Sequence, residues 1–319
     1  MNISFWGNSN FSKLVLEDLI KNNFIPNLVI TFSPKEFGRL KELKQNPVEE
    51  IAKENNIEII YFDNFEEQEL RDTLKSKKVN VGIVASFGKI IPKTILRVFP
   101  FGLINIHPSL LPKYRGSTPI QSAIIEGDIT TGTTIFIIDE EMDHGPIIGQ
   151  ISTEISIEDT YKTLEEKLAL LGSKLIINLL PNYLNKEIAI KPQEEDLATY
   201  TKKFFFKNCH LVWNQPSIKI YNFVRALNNE PGVFSYFQKD SKNILLKINK
   251  IDLVTDLNIL EELNQKYSSL SWGAVIQYEK RFFIKTLDGF IEIITVQPDG
   301  KKPMPFSDFY NGNQITELI

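Results

Sequence analysis

A single cysteine, Cys209, among 319 residues leaves no partner for an internal disulfide. Disulfide scaffolds are thereby excluded, and a reducing compartment, the cytoplasm, is expected. No apolar run approaches the roughly 18 residues a membrane helix needs. The opening MNISFWGNSNFSK has no basic segment followed by an apolar one, so no secretory leader is expected there. Neither GxGxxG nor GxxxxGK[ST] occurs, which removes the usual signatures of dinucleotide and nucleoside-triphosphate loops. The three histidines, His107, His144 and His210, form no close pair of the HExxH kind. Cys209-His210 alone is too little for a zinc site, and no metal is expected.

What is present describes a globular chain. Hydrophobic residues make up 42% and charged residues 24%, the balance of an ordinary packed domain, and the length suits two of them. The net charge of −4 hides an asymmetry: residues 201–319 hold 15 basic against 12 acidic side chains, residues 1–200 hold 21 against 28. A mildly basic second half is compatible with a polyanionic partner.

The first half alternates buried-strand and amphipathic-helix signals. Strands are expected over 3–7, 28–32, 57–62, 79–87 and 102–107, with helices over 11–22, 47–56 and 66–77 between them. Two more strand runs follow at 131–139 and 146–155, then a long helix over 158–180. This pattern predicts a Rossmann-like α/β domain with a mainly parallel sheet over residues 1–190. Periodicity stops in the polar stretch 191–204, read as a linker. Beyond it, one helix signal (216–229) precedes alternating apolar runs with short turns, which predict a small OB-like β-barrel over 205–319.

In an open parallel sheet, ligands bind beyond the carboxyl ends of the strands. The strand at 102–107 ends in Asn105 and His107, and their spacing of two puts both side chains on one face. An amide can donate to a developing oxyanion. The next polar cluster, DEEMDHGPII (139–148), places Asp143 before Gly145, and an aspartate beside a histidine can fix its tautomer. The glycine is expected to admit a ligand close to the backbone. These parts suit attack of a neutral amine on an acyl carbon, without a serine or cysteine nucleophile.

NIHPSLLPKYRG (105–116) followed by DEEMDHGPII resembles the signature of the folate-dependent formyltransferase superfamily. The resemblance implies Asn105, His107 and Asp143 as catalytic residues. It also implies 10-formyltetrahydrofolate as formyl donor, lying against Phe87, Gly88, Ile90, Ile91, Ser109, Leu110, Pro112, Asp139 and Gly145. ASFGKIIPKTIL (85–96), TPIQSAIIEGDITTGTTI (118–135) and QPDGKKPM (297–304) resemble the branch of that family that formylates the α-amine of methionine on initiator tRNA. Within that branch Arg39, Lys41, Arg115, Lys301 and Lys302 would meet the tRNA or substrate. A nucleotide-linked amino sugar is the alternative acceptor. The chain departs from the family at GNSNF (7–11) and SPKEF (33–37), where Gly-Thr-Pro-x-Phe and a Pro-Asp are usual. The implied working form is a cytoplasmic monomer that binds neither DNA nor membrane.

Overall fold

The apolar runs of the first half become the strands of one seven-stranded sheet. The computed structural model describes residues 2–37, 42–44 and 46–319, with side chains described outside 35–45. In chain order the elements are β1 (Ile3–Gly7), α1 (Asn10–Lys21), β2 (Leu28–Thr31), β3 (Lys35–Phe37), β4 (Glu42–Lys44), α2 (Pro47–Glu54), β5 (Glu58–Tyr61) and α3 (Glu67–Ser76). They continue with β6 (Val81–Ala85), α4 (Lys93–Leu96), β7 (Leu103–His107), α5 (Pro119–Glu126), β8 (Thr130–Ile137), β9 (Ile147–Glu154) and α6 (Tyr161–Leu184). The sheet order is β5-β2-β1-β6-β7-β8-β9. Pairing is parallel from β5 to β7 and antiparallel from β7 to β9. Every residue of β1 and β6 is buried, as a sheet covered on both faces requires.

The departure at GNSNF is locally satisfied. Ser9 caps α1 by accepting from the Ser12 amide, and the Ser12 hydroxyl accepts from the Ser9 amide in return. The same hydroxyl donates to the Ala85 carbonyl at 2.6 Å, tying the helix start to the end of β6. Gly7 is required there, because a Cβ would stand 2.5 Å from that of Ser12. Trp6, Phe32, Phe62 and Phe87 pack edge-on and stacked over one face of the sheet. They belong to a core shared with Leu28, Ile30, Leu70 and Leu74.

The chain divides into two units. The first comprises Met1–Ile120, Ile129–Ile157 and Lys162–Lys202; the second comprises Gln121–Asp128, Glu158–Tyr161 and Lys203–Ile319. The stretch read from sequence as a linker therefore differs from a free connection. Up to Lys202 it is hydrogen-bonded into the first unit, through Ile147 to Lys191, Arg115 to Thr199 and Thr201 to Arg115.

The second unit adds α7 (Ser217–Leu227), β10 (Val233–Lys239), β11 (Lys242–Leu253), α8 (Leu257–Tyr267), β12 (Val275–Tyr278), β13 (Arg281–Lys285), β14 (Phe290–Pro298), β15 (Met304–Pro305) and α9 (Phe306–Asn313). The strands run β10-β11-β14-β13-β12, all antiparallel, with β15 beside β14. The edge strands β10 and β12 are bridged by residues 316–319. Ile319 exchanges both backbone hydrogen bonds with Tyr236, while Thr316 accepts from Val275 and Leu318 donates to Gly273. Gly273 permits that approach: a Cβ there would lie 2.1 Å from the Leu318 carbonyl oxygen. The expected barrel is thus closed by a chain segment instead of by a direct pairing of its edges. Helices α8 and α9 were not expected from the pattern. In α8 only Leu263 is buried, so its apolar stripe is too narrow to read, and its start is set by the Asp256 carboxylate on the Asn258 and Ile259 amides. Among the described residues no helix is long and apolar enough to cross a membrane.

Candidate active site

Strand β7 lies where parallel pairing turns antiparallel, with Asn105 opposite Val84 on β6 and Phe136 on β8. The His107 side chain is nearly enclosed. Its Nε2 lies 3.0 Å from the Tyr114 carbonyl oxygen. A carbonyl only accepts, so Nε2 carries a proton, and Nδ1 is the ring atom left for chemistry. Nδ1 stands 3.7 Å from Asp143 Oδ2. That is beyond a hydrogen bond and within the range of an ion pair. Beside them, the Asn105 Oδ1 is buried and has no hydrogen-bond partner among the described residues. A buried acceptor without a donor is uncommon, and this one lies two residues before the carboxyl end of β7, the end at which ligands bind in sheets of this kind.

The loop after β7 is set by side chains from the neighbouring strands. Thr134 donates to the Ser109 carbonyl at 2.6 Å and accepts from the Leu111 amide at 3.0 Å. Gln150 donates to the Leu111 carbonyl at 2.8 Å. Ser109 differs from its expected role: it is fully buried and its hydroxyl donates to the Lys113 carbonyl, so it shapes the loop and has no proton left for a ligand. Leu110 packs its methyl over Gly132 on β8. Pro112 accepts the Thr199 amide through its carbonyl.

Asp143 sits in the left-handed region at φ 52°, in the loop joining β8 to β9. Its Oδ2 accepts from the Gly116 amide at 2.8 Å, and its carbonyl accepts from Gln193 Nε2 at 2.9 Å. Gly145 serves a different purpose from the one expected. A Cβ there would lie 1.8 Å from the Ile137 carbonyl oxygen, so the glycine lets the loop pack on the end of β8. Asp139 is engaged twice, by the Glu141 amide at 3.0 Å and by His144 Nδ1 at 2.6 Å.

The hydrogen bond that His144 donates to Asp139 raises the His144 value above that of a free imidazole. A raised folded value means that the contact stabilises fully below the unfolded value of about 6.5 and fades as pH rises through the folded one. His144 is 37% and Asp139 35% exposed, so solvent holds the contribution under about 1 kcal/mol. Thermal melts of His144→Ala should therefore trail wild type most near about pH 6, and the gap should narrow as pH rises above about 6.5. A gap that widens with pH would contradict this assignment.

Arg115, expected to touch substrate, is fully buried with all five N–H donors engaged. Nε and Nη2 donate to Gln193 Oε1 at 3.1 and 3.0 Å, Nη1 and Nη2 to the Glu195 carboxylate at 2.8 and 2.9 Å, and Nη1 to the Tyr200 hydroxyl at 3.0 Å. The hydrogen bond to Glu195 raises the Arg115 value and lowers that of Glu195. Arg115 thus fastens the loop after β7 to the 193–200 segment. Gln193, Glu195 and Tyr200 were missed from sequence, because they lie in a polar stretch with no period and meet Arg115 only across 78 to 85 residues of chain.

In the segment after β6, the Phe87 and Ile91 side chains belong to the core, while Ile90 is 82% exposed. Gly88, at φ 78°, has nothing within 4 Å of where a Cβ would stand. What this segment can offer a flat ligand is its backbone, Gly88 and Ile90. Lys301 and Lys302 are exposed in the turn after β14, where Lys301 donates its amide to Pro298. Arg39 and Lys41 lie outside the described residues. Among the described residues no cluster of three or more His, Cys, Asp or Glu could hold a metal ion.

The profile of the formyl transferase family matches residues 1–180, and that of the formyl transferase C-terminal domain matches 206–314. The chain is 33% identical over 314 residues to the methionyl-tRNA formyltransferase of Fusobacterium nucleatum, covering 98% of this chain and 97% of that one. It is 35% identical over 318 residues to the methionyl-tRNA formyltransferase of Caldicellulosiruptor saccharolyticus, covering 99% and 98%. Among solved structures, the sugar 3N-formyl transferase WlaRD superposes with a TM-score of 0.62 at 22% identity, covering 95% of this chain and 99% of that one, which is a likeness of fold. With both of its domains matched and relatives aligned nearly end to end, the chain belongs to the formyl transferase family.

Proposed function

We propose that the protein transfers the formyl group of 10-formyltetrahydrofolate to the α-amine of methionine esterified to initiator tRNA. The observation that carries the chemistry is the half-buried Asn105 carboxamide, its oxygen buried and unpartnered, two residues from His107 of the His107–Asp143 pair. The acceptor rests on the named relatives and on the matched C-terminal domain. Gly88 is exposed, with nothing within 4 Å of where a Cβ would stand, so its backbone is open to a flat ligand such as a pterin.

The neutral amine attacks the formyl carbon, the bond from that carbon to N10 breaks, and one proton passes from the amine to N10. Asn105 acts on the developing charge: its NH2 donates to the oxygen on which that charge appears. A preorganised donor of this kind is worth about 3–4 kcal/mol. With Nε2–H held by Tyr114, Nδ1 of His107 faces the reaction. A proton taken there is shared with Asp143 Oδ2 before it reaches N10, a relay worth about 10²–10⁴ in rate. Hydrogen bonds among the loop after β7, the loop joining β8 to β9 and the 193–200 segment keep these atoms in place before substrate arrives.

We further propose that Lys301 and Lys302 contact tRNA phosphates and that the working unit is a single chain in the cytoplasm. The test is a formyl-transfer assay with an acceptor panel. Formyl-methionine should appear on initiator tRNA and no product on nucleotide-linked amino sugars; the opposite selectivity would overturn the acceptor. In the same assay, Lys301→Ala with Lys302→Ala should raise KM for tRNA and flatten the slope of log Kd against log salt by about 1 to 2, with kcat unchanged at saturating tRNA. A mass of two chains by sedimentation would revise the monomer.

A further inference from the structure

We propose that Gln193 is a positioning residue that sets Asp143 against His107; this rests on the formyl-transfer reading above. The Gln193 carboxamide is held from two sides. Its Oε1 accepts from Arg115 Nε at 3.1 Å and Nη2 at 3.0 Å. Its Nε2 donates to the Asp143 carbonyl at 2.9 Å and to the Gly145 carbonyl at 2.8 Å. The amide cannot be turned over, because that would face its N–H2 against guanidinium donors and its oxygen against two carbonyls.

The consequence is a chain of fixed positions. Arg115 is part of the loop that also supplies the Tyr114 carbonyl to His107 Nε2 and the Gly116 amide to Asp143 Oδ2. Gln193 joins that loop to the backbone on both sides of His144, and so adds to the Gly116 contact a second tie that sets Asp143 against His107. The strap that carries Gln193 is itself fastened at Lys191 to Ile147 and at Thr199 to Pro112 and Arg115. Asp143 holds a left-handed backbone conformation at φ 52°, which a non-glycine residue keeps only when its surroundings impose it. The two hydrogen bonds from Gln193 close the ends of that turn.

Glutamine is the one side chain of this length that offers an acceptor to one side and two donors to the other. Glutamate would satisfy Arg115 and set its second oxygen against the Asp143 and Gly145 carbonyls. Gln193→Glu therefore separates fastening of Arg115 from positioning of Asp143, and Gln193→Met removes both.

The experiment is a double-mutant cycle with Asp143→Asn, read as kcat, together with the NMR chemical shifts of the His107 ring at one fixed pH. Gln193→Glu should lower kcat by between about tenfold and a hundredfold, the range for misplacing a catalytic group by about an ångström, with both KM values within about threefold. In the Asp143→Asn background the same change should alter kcat by less than about twofold, because the two act through one element. Equal losses in both backgrounds, or a lower melting temperature with kcat intact, would overturn the proposal. The ring resonances decide the matter even if the formyl-transfer reading fails. Gln193→Met, which adds no charge, should displace the His107 ring resonances in the same direction as Asp143→Asn, and resonances that stay at wild type while Asp143→Asn displaces them would sink the positioning role.

Discussion

Asn105→Ala and His107→Ala should each lower kcat for formyl transfer by about 10²–10³, with tRNA affinity within about twofold of wild type. The separation follows from position. Both side chains emerge from the last residues of β7, within the first unit, and the proposed phosphate contacts at Lys301 and Lys302 lie in the second. The double variant should be little worse than the less active single one, because the oxyanion donor and the proton relay act as a unit in one step and their losses do not multiply. Stability supplies an independent signature. Asn105 Oδ1 is a buried acceptor with no donor, and such a group costs about 1–3 kcal/mol. Asn105→Ala should therefore melt at or above the wild-type temperature while losing turnover. His107 differs, since its Nε2 donates to Tyr114, and His107→Ala should melt lower. Single-turnover kinetics, filter binding and calorimetry on the same preparations check all three statements. An Asn105→Ala protein that loses stability and activity in step would make the asparagine a packing residue.

The contrast between these two residues also shows what was legible without coordinates. Period-2 and period-3.6 patterns reflect the burial of one face, so β1, β2, β6, β7 and their helices could be read along the chain. The pairing of Asn105 with His107 is local as well: two residues of one strand share a face by geometry alone. Arg115 was harder. Its place after a proline-rich turn fitted a substrate contact equally well, and only the arrival of Gln193, Glu195 and Tyr200 from 78 to 85 residues away decides its role. Those partners sit in a polar segment whose lack of period reads as a linker, because hydrogen-bonded straps leave no trace in hydropathy. The closure of the barrel by residues 316–319 escaped notice for the same reason, as it is made by backbone bonds that any residue can supply. His144 was visible, and its partner Asp139 lay five residues away, yet nothing in the spacing told a ligand site from a loop clasp.

Gly145→Ala separates two explanations for one glycine, and its effect should be large. If the residue were glycine only to admit a ligand to the backbone, alanine would leave the fold intact and raise KM for the folate donor. The geometry predicts another outcome. The added Cβ would stand 1.8 Å from the Ile137 carbonyl oxygen and 3.0 Å from its carbon. The obstacle is backbone at the end of β8, which no rotamer change relieves, so the 138–146 loop must lift. That movement pulls the Gly145 carbonyl from Gln193 Nε2, shifts Asp143 two residues upstream, and strains its 2.8 Å contact with Gly116. Overpacking of this kind costs about 3 kcal/mol. The expected result is a clear fall in melting temperature together with a loss of kcat at least as large as that of Asp143→Asn, with KM for folate little changed among the molecules that fold. An unchanged melting temperature with a raised folate KM would restore the ligand-approach explanation. It would also show that the loop moves freely enough to accept a side chain against β8, which a strap fixed by Gln193 does not allow.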